Sequence, residues 1–146
     1  MGAKAGFEGY LYYNSATWAT PTWVAIDVVR DVTANSEKGE VTVTSRGDNG
    51  IQRTIAGIRE DGFEFECIKK TDDAAWQYLK DAYFNGTNVE LLALEGPVGT
   101  SGNEGLRAEC VVLSFGDGQG FEDAQTTSVS AKPTDTTNDP EWFTAP

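Results

Sequence analysis

Twenty-three carboxylates and eleven basic side chains supply most of the ionisable chemistry of this 146-residue chain, which has no histidine. The commonest general base and transition-metal ligand is therefore missing. A Ser-His nucleophile is excluded. A Ser-Lys dyad through Lys69 or Lys80 has no motif behind it. No pair of carboxylates stands apart from the general acidity, and sequence spacing cannot assign a glycosidase-type pair. The expectation is a protein that is not an enzyme and uses no cofactor and no metal.

Short motif matches have simpler explanations. Arg46-Gly47-Asp48 spells a cell-attachment tripeptide but falls in a glycine-rich turn. Asn85-Gly86-Thr87 fits a glycosylation sequon, yet Asn-Gly there also ends a helix. Asp117-Gly118-Gln119-Gly120 lacks the further ligands of a calcium loop and reads as a hairpin turn. There is no glycine-rich phosphate loop. Cys67 and Cys110 sit in separate strand-like runs and read as two buried thiols, since nothing suggests export. MGAKAGFEGYLYY at the N-terminus contains no apolar stretch of signal-peptide or membrane-span length.

The elements that must position these residues are mostly strands. Sixteen glycines, with many Thr, Val and Ser, favour short-turned β structure. The one helix signal is TDDAAWQYLKDAYFNGT, Thr71 to Thr87. Thr71 is the expected N-cap, with Asp72 and Asp73 at the positive end of the dipole. Ala75, Trp76, Leu79, Ala82 and Tyr83 form an apolar stripe, and Asn85-Gly86 stops the helix. Strands are expected over Phe7–Tyr13, Thr22–Asp27 and Val28–Asn35, with a break at Ser36–Gly39. A hairpin follows, Glu40–Arg46 returning as Ile51–Ile58, and Asp61-Gly62 opens a further strand. In that strand Phe63, Phe65 and Cys67 face one way, Glu64 and Glu66 the other. Asn88–Glu95 reads as a central strand, and Leu106–Phe115 pairs with Phe121–Lys132. In the first of that pair Leu106, Ala108, Cys110 and Val112 share a face.

The predicted architecture is mainly β, a two-sheet β-sandwich or split barrel of eight or nine strands. One flanking helix (about 72–85) follows the sixth strand or so, and a long hairpin (about 36–58) protrudes. The domain spans 7–133, between an N-terminal arm (1–6) and a C-terminal arm (134–146). The polar C-terminal arm ends in Trp142-Phe143, which must dock either on its own domain or on a neighbour. A net charge of -12 argues against a sequence-reading nucleic-acid binder. Charged Glu37, Lys38, Glu40, Arg46, Asp48 and Arg53 crowd the hairpin, which suits a subunit that builds something larger.

The order of these pieces resembles the tail tube (major tail) proteins of long-tailed bacteriophages. VRDVTANSEKGEVTVTSRG is followed by IQRTIAGIRED and GFEFEC. The helix DDAAWQYLKDAYFNGT runs straight into NVELLALEGP. GLRAECVVLSF and FEDAQTTSVSAKPT close the set, which covers roughly residues 7–134. The resemblance implies a homo-oligomer: six subunits form a ring, rings stack into a tube, and neighbouring inner sheets join into one barrel. It implies a virion tail, assembled in the bacterial host cytoplasm. Its partners would be a tape-measure protein and tail terminator or baseplate proteins. Double-stranded DNA would pass through the lumen without specific binding, and no membrane is involved. It leans toward the non-contractile kind of tail. The hairpin (about Ser36 to Ile58) corresponds by position to the loop that joins rings. That makes Glu37, Lys38, Glu40, Arg46, Asp48 and Arg53 expected contacts, with Trp142 and Phe143. Glu64 and Glu66 are candidates to face the lumen, where negative charge repels phosphate; facing outside solvent is the open alternative. A different class of reading is a small β-sandwich carbohydrate-binding module using Trp18, Trp23 or Trp142 as a stacking platform. A third is another virion part of similar fold, a tail terminator or baseplate hub.

Overall fold

The computed structural model describes residues 2–146. Eight strands and one helix follow in order: β1 (Tyr10–Asn14), β2 (Trp23–Ala25), β3 (Val29–Thr42), β4 (Thr54–Ile68), α1 (Ala74–Asn85), β5 (Asn88–Leu94), β6 (Glu104–Gly118), β7 (Thr126–Pro133) and β8 (Glu141–Thr144). The mainly-β reading with one helix is borne out. The two expected layers are halves of a single antiparallel sheet, ordered β2-β1-β5-β6-β7-β4-β3. β6 belongs to both halves. Glu104 to Arg107 lie between β5 and β8, and Cys110 to Gly118 pair with β7. The sheet folds over at β6, as in a split barrel.

The helix follows the fourth strand rather than the sixth or so. The difference lies in two expected breaks that do not occur. β3 runs unbroken through Ser36–Gly39, and β4 runs unbroken through Asp61-Gly62. Ser36 pairs with Asp61 and Asn35 with Gly62, so the ladder between the strands outweighs local turn preference. Gly39 is absorbed by a bulge between Lys38 and Glu40. At the N-terminus, Gly6–Glu8 is a 3₁₀ turn, and the first strand starts only at Tyr10. Phe121, expected in a strand, lies fully exposed in the loop before β7.

The cap of α1 lies two residues later than Thr71. Asp73 is the N-cap, accepting from Trp76 N at 2.9 Å, while the Thr71 carbonyl accepts from Gln77 Nε2. A full negative charge at the dipole's positive end makes Asp73 the stronger cap. Gly86 ends the helix at φ 67, the left-handed conformation that favours glycine. Ala75, Trp76, Leu79 and Ala82 are buried; Tyr83, predicted in the same stripe, sits at its exposed margin. Trp76 Nε1 donates to Thr127 Oγ1 at 3.1 Å, so the one polar atom of the indole is satisfied inside the core.

The main core fills the space between the halves. Leu11, Tyr13 and Ile26 come from one side, Phe63, Phe65 and Cys67 from the other, with Leu106, Ala108, Cys110 and Val112 of β6 between them. A second cluster lies on the outer face of the first half: Tyr12, Leu92 and Leu94, with Trp23 and Phe143 against them. β5 and β6 approach so closely that a Cβ at Gly105 would overlap the Ala93 carbonyl. Gly105 must therefore be glycine.

Both cysteines are free and fully buried. Burial pushes each thiol from 9.0 up to about 12. The folded state holds these protons where an unfolded chain has lost them, so stability is intact below pH 9 and falls as pH rises from 9 toward 12. The expected slope is up to about 1.4 kcal/mol per pH unit for each thiol. Urea titrations at pH 8 and pH 10.5 measure it. Cys67→Ala with Cys110→Ala should flatten the dependence, and an unchanged slope would assign it to other groups.

Candidate assembly interface

The second half of the sheet, β6-β7-β4-β3, has one core face and one polar face. The polar face is built by strict alternation. In β7, Ser128 and Ser130 point away from the core and Val129 and Ala131 into it. Glu64 lies between Thr33 and Ser130 in register, and Glu66 lies opposite Ser128. Asp31 and Ser114 border the same surface. Glu64 is exposed; Glu66 is half-buried and paired with Arg30 Nη1 at 3.4 Å. The predicted opposition of Phe63, Phe65 and Cys67 to Glu64 and Glu66 is thus observed. The hydroxyls around these acids were a missed part of the site, legible in hindsight as the alternation TTSVSAK.

This half also carries two uncovered edges. β3 hydrogen-bonds to β4 alone, and among the described residues no strand lies on its other side. β5 pairs with β6 only as far as Val111, so the edge of β6 beyond it is open on the side away from β7. Unpaired edges of this length are templates for another chain unless something blocks them.

β3 and β4 continue past the sheet as a two-stranded ribbon. Pairing persists from Ser36 with Asp61 to Thr42 with Thr54, a reach of about 20 Å at 3.3 Å per residue. A 3₁₀ turn at Arg46–Asp48 with left-handed Asn49 and Gly50 closes the tip. Glu37, Lys38, Glu40, Arg46 and Arg53 are exposed, and Asp48 half-buried. Cross-strand neighbours are alike in charge, Glu37 opposite Glu60 and Lys38 opposite Arg59, an arrangement that weakens an isolated ribbon. Arg53 and Asp48 form a loose pair at 3.7 Å. Val41 and Ile55, also directly opposite, are about half exposed.

Residues 134–146 run back along the domain and end as β8 on β6. Phe143 packs edge-on against Trp23 with ring centres 5.8 Å apart. Trp142 remains mostly exposed, its indole N–H donating to Glu104 at 2.9 Å. The structure therefore brings Phe143 into the chain's own second cluster and leaves Trp142 at the surface.

Arg107 organises that end of the molecule and was not anticipated. Nη2 donates to the Trp18 carbonyl at 2.6 Å and to Glu90 at 3.3 Å; Nη1 donates to Glu141 at 3.2 Å. Its guanidinium lies 3.8 Å from the Trp18 ring centre and 5.0 Å from that of Trp23. Two of the three tryptophans offered as a sugar platform thus already have a cation on their faces. At the opposite end, Lys69 donates to Asp117 at 2.8 Å, and this hydrogen bond holds the Asp117 carboxyl below its usual range.

No family model matches the chain, and no curated relative matches it. Solved structures do share its fold. A chain from the tail of an empty gene transfer agent particle, refined with helical and sixfold symmetry, superposes with a TM-score of 0.76 at 13% identity, covering 97% of this chain and 99% of that one. The SPP1 tail tube gives 0.66 at 19% identity, covering 88% and 74%. A chain of the anti-feeding prophage baseplate gives 0.59 at 9% identity, covering 98% and 97%. The chain has the fold found in these tail and baseplate assemblies.

Proposed function

We propose that this chain is a structural subunit of a phage-type tail tube, forming rings that stack and whose lumen conducts double-stranded DNA. The observation that carries the reading is the pair of open edges on one four-stranded half-sheet, β3 on one side and β6 beyond Val111 on the other. Joining the β3 edge of one copy to the β6 edge of the next covers both edges at once. A closed ring then leaves none. The polar face of the same half-sheet becomes the inner wall. Serine and threonine hydroxyls with Glu64, Glu66 and Asp31 give a wetted, negative surface that repels phosphate, so DNA slides without binding. The ribbon projects toward the next ring, and its unneutralised charges at Glu37, Lys38, Glu40 and Arg46 meet counterparts there. Single exposed ion pairs contribute about 0–1 kcal/mol, so repetition around the ring supplies the strength. Tape-measure, terminator and baseplate proteins complete the tail.

Electron microscopy of the purified protein tests this reading directly. Rings and stacked tubes are expected; a strict monomer across salt and concentration series would sink it. Single rings that never stack would favour the second reading, a baseplate-type part, to which the baseplate likeness also points. Lumen placement has its own test. Glu64→Lys with Glu66→Lys should leave assembly intact but slow DNA ejection at least severalfold, because each ring then carries bound phosphate contacts. Ejection at the normal rate would put those residues elsewhere.

A further inference from the structure

The two open edges differ in what stands beside them on the core side. Next to the β6 edge, α1 closes the space between the sheet halves, and its last turn carries an aromatic cluster. Phe84 meets Tyr83 with ring centres 5.0 Å apart and Phe115 of β6 at 6.5 Å, yet Phe84 remains 71% exposed. Next to the β3 edge no helix stands among the described residues. A groove of about 800 Å³ lies there between β3, the Phe7 turn, the start of β1 and the end of β5. Its walls include Phe7, Tyr10, Val32, Ala34 and Ala93, and Phe7 is 90% exposed. One copy thus has an apolar knob beyond one edge and, beside the other, a hole whose mixed walls carry aromatic and aliphatic side chains next to Arg30 and Asp31.

We infer that Phe84 of one copy seats in the Phe7–Tyr10–Val32 groove of the next copy around the ring. This rests on the edge-to-edge join proposed above and names its apolar lock. Continuity of the sheet dictates the match. When two strands pair edge to edge, the core faces of both sheets lie on the same side. Phe115 faces the core from β6 and carries Phe84 beyond it; Val32 and Ala34 are on the core face of β3, in register with Phe65 and Phe63. A ring projecting past the β6 edge on that side therefore arrives over Val32 and Ala34.

Area and charge both favour a second copy as the occupant. The exposed parts of Phe84, Tyr83, Phe7 and Tyr10 amount to a few hundred Å², at about 150–250 Å² per aromatic side chain. That is about a third of what a stable interface needs, and the paired strand edges supply the rest. In a chain of net charge -12, two copies approach most easily through uncharged surface. The knob and most of the groove wall are such surface. The contact joins two different patches, so it propagates from copy to copy and closes as a ring, not as a symmetric pair.

The test is Phe84→Ala, with Phe7→Ala as its counterpart. Both side chains are largely exposed in the monomer, so the melting temperature should not move, while the concentration needed for assembly rises at least tenfold. Phe84→Cys with Val32→Cys, treated with a short bismaleimide, should yield covalent oligomers beyond dimers; the two native thiols are buried and silent. If the unaltered protein assembles and Phe84→Ala assembles at the same concentration, or the cysteine pair gives no oligomers, the inference is overturned while the tube reading stands. If the unaltered protein never assembles, the tube reading falls and this contact with it.

Discussion

Arg107→Ala is expected to lower the unfolding free energy by about 3–5 kcal/mol, the usual cost of removing one member of a buried ion pair. The Arg107 side chain is 6% exposed and that of Glu90 11%. Without Arg107, Glu90 keeps only the amide of Asn14 at 2.6 Å, and its charge stays inside the protein. The Trp18 carbonyl and Glu141 lose their donor as well, and the indole faces of Trp18 and Trp23 lose their cation. Arg107→Lys should recover only part of the loss, because an ammonium cannot span those three acceptors while lying flat on an indole. Arg107→Ala combined with Glu90→Gln should be more stable than Arg107→Ala alone, since the stranded charge has gone. Urea denaturation of the four proteins measures each step. A loss below about 1 kcal/mol for Arg107→Ala would mean that water replaces the guanidinium and that the cluster is not closed.

Deleting Glu37 to Arg53 should have the largest effect on assembly and almost none on the fold. Ser36 and Asp61 are already a cross-strand pair, so the seven residues 54–60 remain to close the shortened hairpin between them. Buried core positions of β4 begin only at Phe63, beyond the cut, with Asp61 just before them. The melting temperature should therefore stay within a few degrees, while tubes fail to form under conditions where the full chain makes them. Single rings should survive, because the edges that would join copies within a ring lie at Val29–Ala34 and beyond Val111. Circular dichroism and electron microscopy of the same preparation separate the two effects. Tubes of ordinary length from the shortened chain would remove the ribbon from the stacking role.

What could be read from the sequence was whatever depends on near neighbours. The alternation in GFEFEC shows directly in which side chains are buried, and Asn85-Gly86 ends the helix as its residue types demand. Strand continuity was not legible, because it depends on the partner. SEKG and DG look like breaks, yet each lies opposite a strand that keeps pairing. The open edges were invisible for the same reason. An edge is defined by which strand is absent beside it, and pairing partners lie as far apart as Tyr10 and Leu94. Arg107 was hidden by a sound rule applied to one core only. It points away from Leu106, Ala108 and Cys110, as a polar residue in that strand should. A second apolar cluster around Tyr12, Leu92 and Trp23 then encloses it on the outer face.

The fold-over at β6 also determines where the chain can lose or gain a residue over generations. From Leu106 to Val112 the even-numbered positions face the core; Leu113 is then an extra residue in a bulge, and inward pointing resumes at Phe115. The strand is read in one frame on one side of the molecule and in a shifted frame on the other. Deleting Leu113 alone would remove the bulge and join the frames, leaving Ser114 outward and Phe115 inward; deleting Ser130 from β7, which pairs with β4 without a break in register, would instead turn Val129 or Ala131 outward and break the second half-sheet. Losing one residue from Val43 to Arg53 disturbs no core position. A library of single-residue deletions, sorted for folded protein, should therefore show its sharpest intolerance along β7, tolerance at the β6 bulge, and its widest tolerance at the ribbon tip. Lineages of this chain are free to vary in length at the ribbon tip and at the one bulge where β6 changes frame, and held to a fixed count where unbroken alternation feeds the core.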